Sequence, residues 1–372
     1  MTKQEKREML KQIVAAAESA EIVTGKLLKN ASRIALYGAG NYGRQILASL
    51  NEMGFKAEMF IDKRADALKE YCGLPVYKID DISEKDRKDL TVIVSFLMTI
   101  DGFNDFRDWL KSNGFAKVLN PQRLDLLSEF SANKGISISQ NVEPILEAFD
   151  LMNDEISEDV FFEVCKAHAK LTHAELPILN PDMTQYVDVK VPFKNNYRSF
   201  VDCGAFTGDT LESLALHHKV KNYFGFEPDP VSYAKLSEMT DSLSGRIGTA
   251  ICFPLGVSDK NEFLRFSSGG GGSSKISDTG EEIIQVVRLD DVLKGYDDLL
   301  IKMDVEGAEI AALNGARNII MRTKPDLAIS VYHKFFDLWE IPLMLKKWIP
   351  EYKFYMRSHY DYTLDTVLYT TI

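Results

Sequence analysis

Between Arg33 and Asp62 the chain reads RIALYGAGNYGRQILASLNEMGFKAEMFID. An apolar run meets a glycine-spaced turn, then a helical period, then a second apolar run. That succession predicts strand, turn, helix and parallel strand. LPVYKI, TVIVSF and AKVLN continue as short apolar strands, with FNDFRDWLKSNGF as a helix between the last two. This unit ends near Leu127. Ahead of it, the first thirty or so residues predict one amphipathic helix, with Met9, Ile13 and Ala16 at helical spacing. From Asn141 to about Leu176 the pattern is helical again. LPILNPDMTQYVDVKVPFKNN carries proline and little helical period, so it reads as a connector with a short strand. Strand–helix alternation resumes at Ser199 and runs to the end. The expected architecture is α/β, with two doubly wound Rossmann-like domains joined by a helical segment. The expected parts are an N-terminal helix over 1–30, a nucleotide-binding domain over 31–130, a helical linker over 131–195 and a second α/β domain over 196–372.

The second domain opens on FVDCGAFTGDT, a hydrophobic strand that runs into an acidic turn with Asp202, Gly204 and Gly208. Its next apolar run, FGFEPDP, stops on Glu227, 25 positions after Asp202. That interval holds one helix between neighbouring parallel strands. Small residues let backbone N–H groups approach a ligand, and an acid at the second strand tip can accept hydrogen bonds from ribose hydroxyls. Asp202 is placed to receive an ammonium group. This pairing makes S-adenosylmethionine the leading ligand and methyl transfer the leading reaction. A third strand, LLIKM, stops at Asp304, where open α/β sheets place their ligands. Lys302 interrupts that apolar strand and shares a face with Asp304 by alternation, so it either faces the ligand or pairs with a carboxylate. Glu306 and Glu309 fall near a helix start, where acids are favoured.

At 372 residues, two domains are the natural expectation. Hydrophobic content of 45% with 27% charged residues describes a globular protein. A net charge of −11 argues against nucleic acid or an anionic membrane as the main partner. No stretch is long enough to span a bilayer. Cys72, Cys165, Cys203 and Cys252 form no CxxC pair and read as packed, reduced thiols, which fits a cytoplasmic setting. The six histidines show no HxH or HExxH spacing, so no metal site is expected. SSGGGGSS (Ser267 to Ser274) reads as a loop between strands.

FVDCGAFTGDT, FGFEPDP, GVSDK, VVRLDDVL and IKMDVEGAEIAALNGA together resemble the FkbM-type methyltransferases. The resemblance covers roughly Glu155 to Ile372, and IKMDVEGAE is its most specific piece. It implies a class I S-adenosylmethionine-dependent methyltransferase fold and O-methylation of a sugar, glycan or other hydroxylated metabolite. Carried over, Asp202, Gly204, Ala205, Gly208 and Glu227 would hold the cofactor, with Asp304 beside its methionine end. Ser258 and Asp259 in GVSDK would contact adenine. A hydroxyl acceptor benefits from a general base. The candidate is His333, just after the apolar strand of PDLAISVYHKFF, with Asp304 and Lys302 as further catalytic groups and Tyr332 and Glu306 as polar groups for the acceptor.

The first domain carries its own GxGxxG, with Gly38, Gly40 and Gly43 between a strand and a helix, and Asp62 19 positions further on. It resembles nucleotide-binding modules of sugar-modifying enzymes and could take NAD(P) or another nucleotide. A second reading therefore makes the chain a nicotinamide-dependent oxidoreductase or a nucleotide-sugar-binding protein, although no proton-relay group is visible. A third is a non-catalytic binding protein. The N-terminal helix offers a face to a second copy, so a homo-oligomer is among the expected assemblies.

Overall fold

The computed structural model describes residues 1–18, 25–96, 98, 100–120, 138–170, 185–186, 190–194, 198–267, 275–276, 282–359 and 365–372. Most of SSGGGGSS and much of the expected connector therefore lie outside the described residues. The chain forms two compact units: Gln4–Val142 with Glu163–Glu175, and Met1–Lys3 with Glu143–Phe162 and Leu176–Ile372. No helix among the described residues is long and apolar enough to cross a membrane. All four cysteines are free.

The first unit is built on β1 (Arg33–Tyr37), β2 (Met59–Ile61), β3 (Glu70–Tyr71), β4 (Leu74–Tyr77), β5 (Leu90–Val94) and β6 (Lys117–Leu119). Their order across the sheet is β3-β4-β2-β1-β5-β6. β1 pairs in parallel with both β2 and β5, so the chain reverses its direction of travel at β1. β5 is buried along its whole length, as a strand covered by helices on both faces must be. The helix Asn41–Glu52 starts directly after the glycine turn and buries Ile46, Leu47 and Leu50 against β1 and β2. A Cβ on Gly43 would lie 2.3 Å from the Gly38 carbonyl oxygen and 2.9 Å from Phe60. Only glycine lets this helix approach so closely. The N-terminal helix is shorter than its sequence pattern predicts, running over Lys3–Ala15. Beyond Val14 the segment AAAESAE offers no large apolar residue to bury, and packing stabilises short helices more than propensity does.

The second unit adds β7 (Ser199–Cys203), β8 (Val220–Phe226), β9 (Ile247–Phe253), β10 (Gly256–Val257), β11 (Glu262–Ser267), β12 (Lys275–Ile276), β13 (Glu282–Val287), β14 (Leu299–Met303), β15 (Asp326–Ser330), β16 (Lys353–Ser358) and β17 (Thr366–Thr371). Seven of them form one sheet in the order β16-β17-β15-β14-β7-β8-β9. β9, β8, β7, β14 and β15 are parallel neighbours, while β17 runs antiparallel to β15 and β16. β7, β14 and β15 are buried at every position. The connections leave β7 toward β8 on one side, and β14 joins it on the other. A crevice therefore opens beyond the carboxyl ends of β7 and β14, the place where doubly wound sheets bind ligands. β10, β11, β12 and β13 make a separate four-stranded sheet. The helix Pro230–Ser242 starts where its sequence dictates: Asp229 accepts a hydrogen bond from the Ser232 N–H at 2.8 Å, and Pro230 occupies the first turn.

Candidate functional site

At the tip of β7 the backbone turns through Gly204, whose φ is +74°. A Cβ there would lie 1.9 Å from the Asp304 carbonyl oxygen, so no other residue fits between the tips of β7 and β14. The N–H groups of Gly204 and Ala205 both donate to the Phe226 carbonyl at 3.0 Å, which ties this turn to the tip of β8. Phe206 follows in the left-handed region with φ +48°, a conformation that side chains adopt only under constraint. Its N–H donates to Glu227 Oε2 at 2.8 Å, and the Asp229 N–H donates to Oε1 at 2.8 Å. Glu227 is 6% exposed. Burial pushes its carboxyl up to about 7, against the pull of those two N–H donors.

These tips enclose a cavity of about 220 Å³. Gly204, Phe206, Phe226 and Glu227 line it together with Asp209, Thr210 and Ser232. Pro228, Val257, Phe266 and Ile284 supply apolar lining, and Lys302, Asp304, Glu306, Tyr186 and Tyr332 supply polar lining. Of the residues predicted to hold a cofactor, Gly204, Glu227 and Asp304 reach this cavity. Gly208 sits just behind it, capping the helix Asp209–His217 with φ +86°. Ala205 is buried outside the cavity lining, with its N–H committed to the Phe226 carbonyl.

Asp202 is completely buried, does not line the cavity and pairs with Lys302. The Lys302 ammonium lies 3.0 Å from Asp202 Oδ1 and donates to the Gly204 carbonyl at 2.6 Å. Burial opposes the Lys302 charge, yet the carboxylates of Asp202 and Asp304 raise its pKa above the ordinary lysine value. Of the two sequence alternatives for Lys302, the structure has the carboxylate pairing, while its side chain also lines the cavity. The pairing arises because Lys302 and Asp202 are register partners on β14 and β7. The other oxygen of Asp202 accepts from the Tyr223 hydroxyl at 3.2 Å.

Ser258 and Asp259 lie just past β10 and do not line the cavity. Ser258 N–H donates to the Val287 carbonyl at 2.9 Å, which holds the turn onto the small sheet. The residues of GVSDK that reach the cavity are Gly256 and Val257.

Asp304 accepts hydrogen bonds from two tyrosines: Tyr186 at 2.9 Å on Oδ2 and Tyr332 at 3.3 Å on Oδ1. Burial works against its charge, but His333, Lys302 and the Tyr186 hydroxyl hold its pKa below the usual aspartate value. Glu306 follows with φ +54° on the cavity wall. His333 is held just behind the wall. Its Nδ1 contacts Glu309 Oε1 at 2.9 Å, and its Nε2 lies 3.6 Å from both Asp304 Oδ1 and Glu306 Oε2. Burial alone would strip the proton from this ring, but Glu309, Asp304 and Glu306 push its pKa up to about 10. At neutral pH, His333 with only these protein partners is a cation and not a free base. Glu309 also accepts from the Val305 and Gly307 N–H groups, which ties the turn after β14 to the first residue of the helix Glu309–Gly315. The tyrosine at 186 sits in the segment read as a connector, and nothing in its sequence surroundings marks it.

In the first unit the glycine turn lies at the tip of β1, beside the strand reversal. Asp62 follows β2, as expected. Its carboxylate is occupied by the protein itself: Oδ2 accepts from the Ala39 N–H at 2.9 Å and from Arg64 Nη2 at 2.8 Å, and Oδ1 accepts from Arg64 N and Nε at 2.9 Å. Arg64 Nη2 also donates to the Ala39 carbonyl at 2.7 Å. These bonds, led by those from Arg64, hold Asp62 at a pKa of about 2. Asp62, the acid at the ribose position of the glycine pattern, fastens its own loop.

Residues 202–361 match the family model described as the methyltransferase FkbM domain. Over 105 residues the chain is 29% identical to the hexuronic acid methyltransferase AglP of Haloferax volcanii, which is 27% of this chain and 43% of that protein. The chain thus spans less than half the length of this curated relative. A crystal structure of methyltransferase FkbM from Methylobacillus flagellatus KT superposes with a TM-score of 0.76 at 21% identity, covering 100% of this chain and 99% of the other. The likeness in fold extends to the α/β unit that precedes the matched domain.

Proposed function

We propose, from the FkbM methyltransferase domain that residues 202–361 carry, that this chain is an S-adenosylmethionine-dependent methyltransferase acting on a hydroxyl of a sugar or glycan. The observation that carries the reading is the convergence of Gly204, Glu227 and Asp304 on one cavity at the strand reversal. The cavity suits the cofactor on its own terms. Gly204 leaves backbone where a side chain would intrude, and Glu227 offers a carboxylate at the tip of the neighbouring strand. Glu227 would accept the ribose hydroxyls, Val257 and Ile284 would flank the base, and Lys302 with the β7 turn would meet the amino-acid end. When bound, the cofactor supplies an electrophilic methyl group on a sulfonium.

The remaining task falls to the chain's own residues. Placing an acceptor oxygen in line is worth several kcal/mol, on the order of the gains seen for intramolecular reactions. Asp304, Glu306 and Tyr332 share the cavity wall and would orient that oxygen. Glu306 would take its proton, because the His333 ring is already charged at neutral pH. His333 would position Asp304 and Glu306 from behind. The sugar assignment draws on the hexuronic acid that the Haloferax relative's name specifies.

The test is incubation of the purified chain with S-adenosylmethionine and a panel of hexuronic acids, nucleotide-linked hexoses and oligosaccharides, followed by mass spectrometry. Methylated product together with S-adenosylhomocysteine is the expected result. Absence of S-adenosylhomocysteine binding by calorimetry would remove the reading altogether.

A further inference from the structure

We propose that Asp304, Glu306 and His333 Nε2 form a divalent-cation site on the wall of the cavity, with Glu309 holding the ring from behind. One oxygen or nitrogen from each of Asp304, Glu309 and His333 lies within 4.8 Å of the others. The three come from two places: the turn and helix start after β14, and the loop after β15. Two buried atoms in this group have no hydrogen-bond partner, His333 Nε2 and Glu309 Oε2. Glu309 is fully buried and the His333 side chain is 10% exposed, so bulk water reaches neither well. Buried polar atoms without a partner are uncommon in folded proteins, and a bound ion is one of the few ways to satisfy them.

The charge points the same way. Glu306 Oε2 stands 3.6 Å from His333 Nε2, as does Asp304 Oδ1. Those separations exceed a normal N–H···O bond. They match the spacing of two donors around one ion: metal–nitrogen and metal–oxygen bonds of about 2.1 Å at a tetrahedral angle put the donors about 3.4 Å apart. Asp337, buried with both oxygens unpartnered, adds a fourth acid that interacts with Glu309 and His333. The facing cations are Lys302, which is committed to Asp202, and Lys334. One histidine among carboxylates favours a borderline ion such as manganese, cobalt, iron or zinc over magnesium or calcium. Nδ1 against Glu309 leaves Nε2 turned toward Asp304 and Glu306, an arrangement in which a carboxylate orients a ligating imidazole. Asp304 lines the cavity, so an ion held there meets any oxygen that enters and makes it more acidic. That last consequence rests on the methyl-transfer reading, whereas cation binding does not.

The experiment uses the full chain, stripped with chelator and titrated with manganese(II). Electron paramagnetic resonance counts bound ions, and electron spin-echo modulation detects nitrogen coupled to them. One ion per chain with nitrogen coupling is expected, and H333Q should abolish the coupling and weaken binding at least tenfold. E309Q, checked for folding by circular dichroism, should weaken it similarly. Substoichiometric uptake of manganese, cobalt and zinc at millimolar concentration overturns the site, as does bound manganese without nitrogen coupling. S-adenosylhomocysteine titration in chelator reports on the proposed function alone, so failure of one reading is distinguishable from failure of the other.

Discussion

The Lys302 ammonium and the Asp202 carboxylate stand 3.0 Å apart with both side chains almost wholly out of water. Removing either partner leaves an uncompensated charge in the centre of the sheet. Lys302→Met and Asp202→Leu are each expected to destabilise the chain by about 3–5 kcal/mol, and the double variant by clearly less than their sum. Urea unfolding of the four proteins measures this. Additive losses would mean that the pair does not interact.

Gly204→Ala places a methyl group against the Asp304 carbonyl and forces alanine into the left-handed region. The tips of β7 and β14 must separate. S-adenosylhomocysteine affinity is expected to fall at least tenfold, with a lower melting temperature. Gly295, also at positive φ but with open space around it, is the control: Gly295→Ala should lower stability without touching affinity.

On the proposed function, Glu227 is expected to make cofactor binding dependent on pH. Its pKa is raised from 4.5 to about 7 by burial, so below 7 the empty site holds a neutral acid. A carboxylate is the better acceptor for ribose hydroxyls. Affinity for S-adenosylhomocysteine should therefore be flat above pH 7 and fall by about tenfold per unit well below it. Glu227→Gln should bind at least tenfold more weakly at pH 8 and lose this slope. The stability of the empty chain runs the other way. A raised carboxyl stabilises fully below pH 4.5, and that contribution is lost as pH climbs through 7. Calorimetric titrations across this range decide both.

Asp62 has the opposite sign. Its pKa is held near 2, below the ordinary 3.8, chiefly by Arg64. It stabilises the first unit above pH 3.8, and the contribution disappears as pH falls through 2. Arg64→Ala should bring acid unfolding of that unit to a higher pH and leave S-adenosylhomocysteine affinity unchanged. A loss of affinity in this variant would contradict the loop-fastening role.

His333→Ala should slow methyl transfer while cofactor affinity stays near normal, because the ring contacts Glu309, Asp304 and Glu306 and does not line the cavity. Steady-state kinetics with a methylated sugar product as readout would check it. Undiminished turnover would remove His333 from the chemistry.

Local patterning was enough to read the strands around both glycine turns, because apolar runs and turn chemistry are properties of adjacent residues. The same holds for Glu227 at a strand tip, Asp304 at the end of an apolar run, and the match of IKMDVEGAE to a known family. What sequence alone could not decide was which side chains meet. Asp202 and Lys302 are 100 positions apart and become partners only through the register of β7 and β14. Asp62 reads as a ribose ligand until Arg64 folds back onto it. His333 shows no metal-binding spacing with any neighbour in the chain, yet the loop after β15 delivers it to Glu309 and Asp304. Strand propensity acts over a few residues, whereas a charge finds its partner across the whole fold, so the elements were legible in the chain and the pairings were settled by tertiary packing.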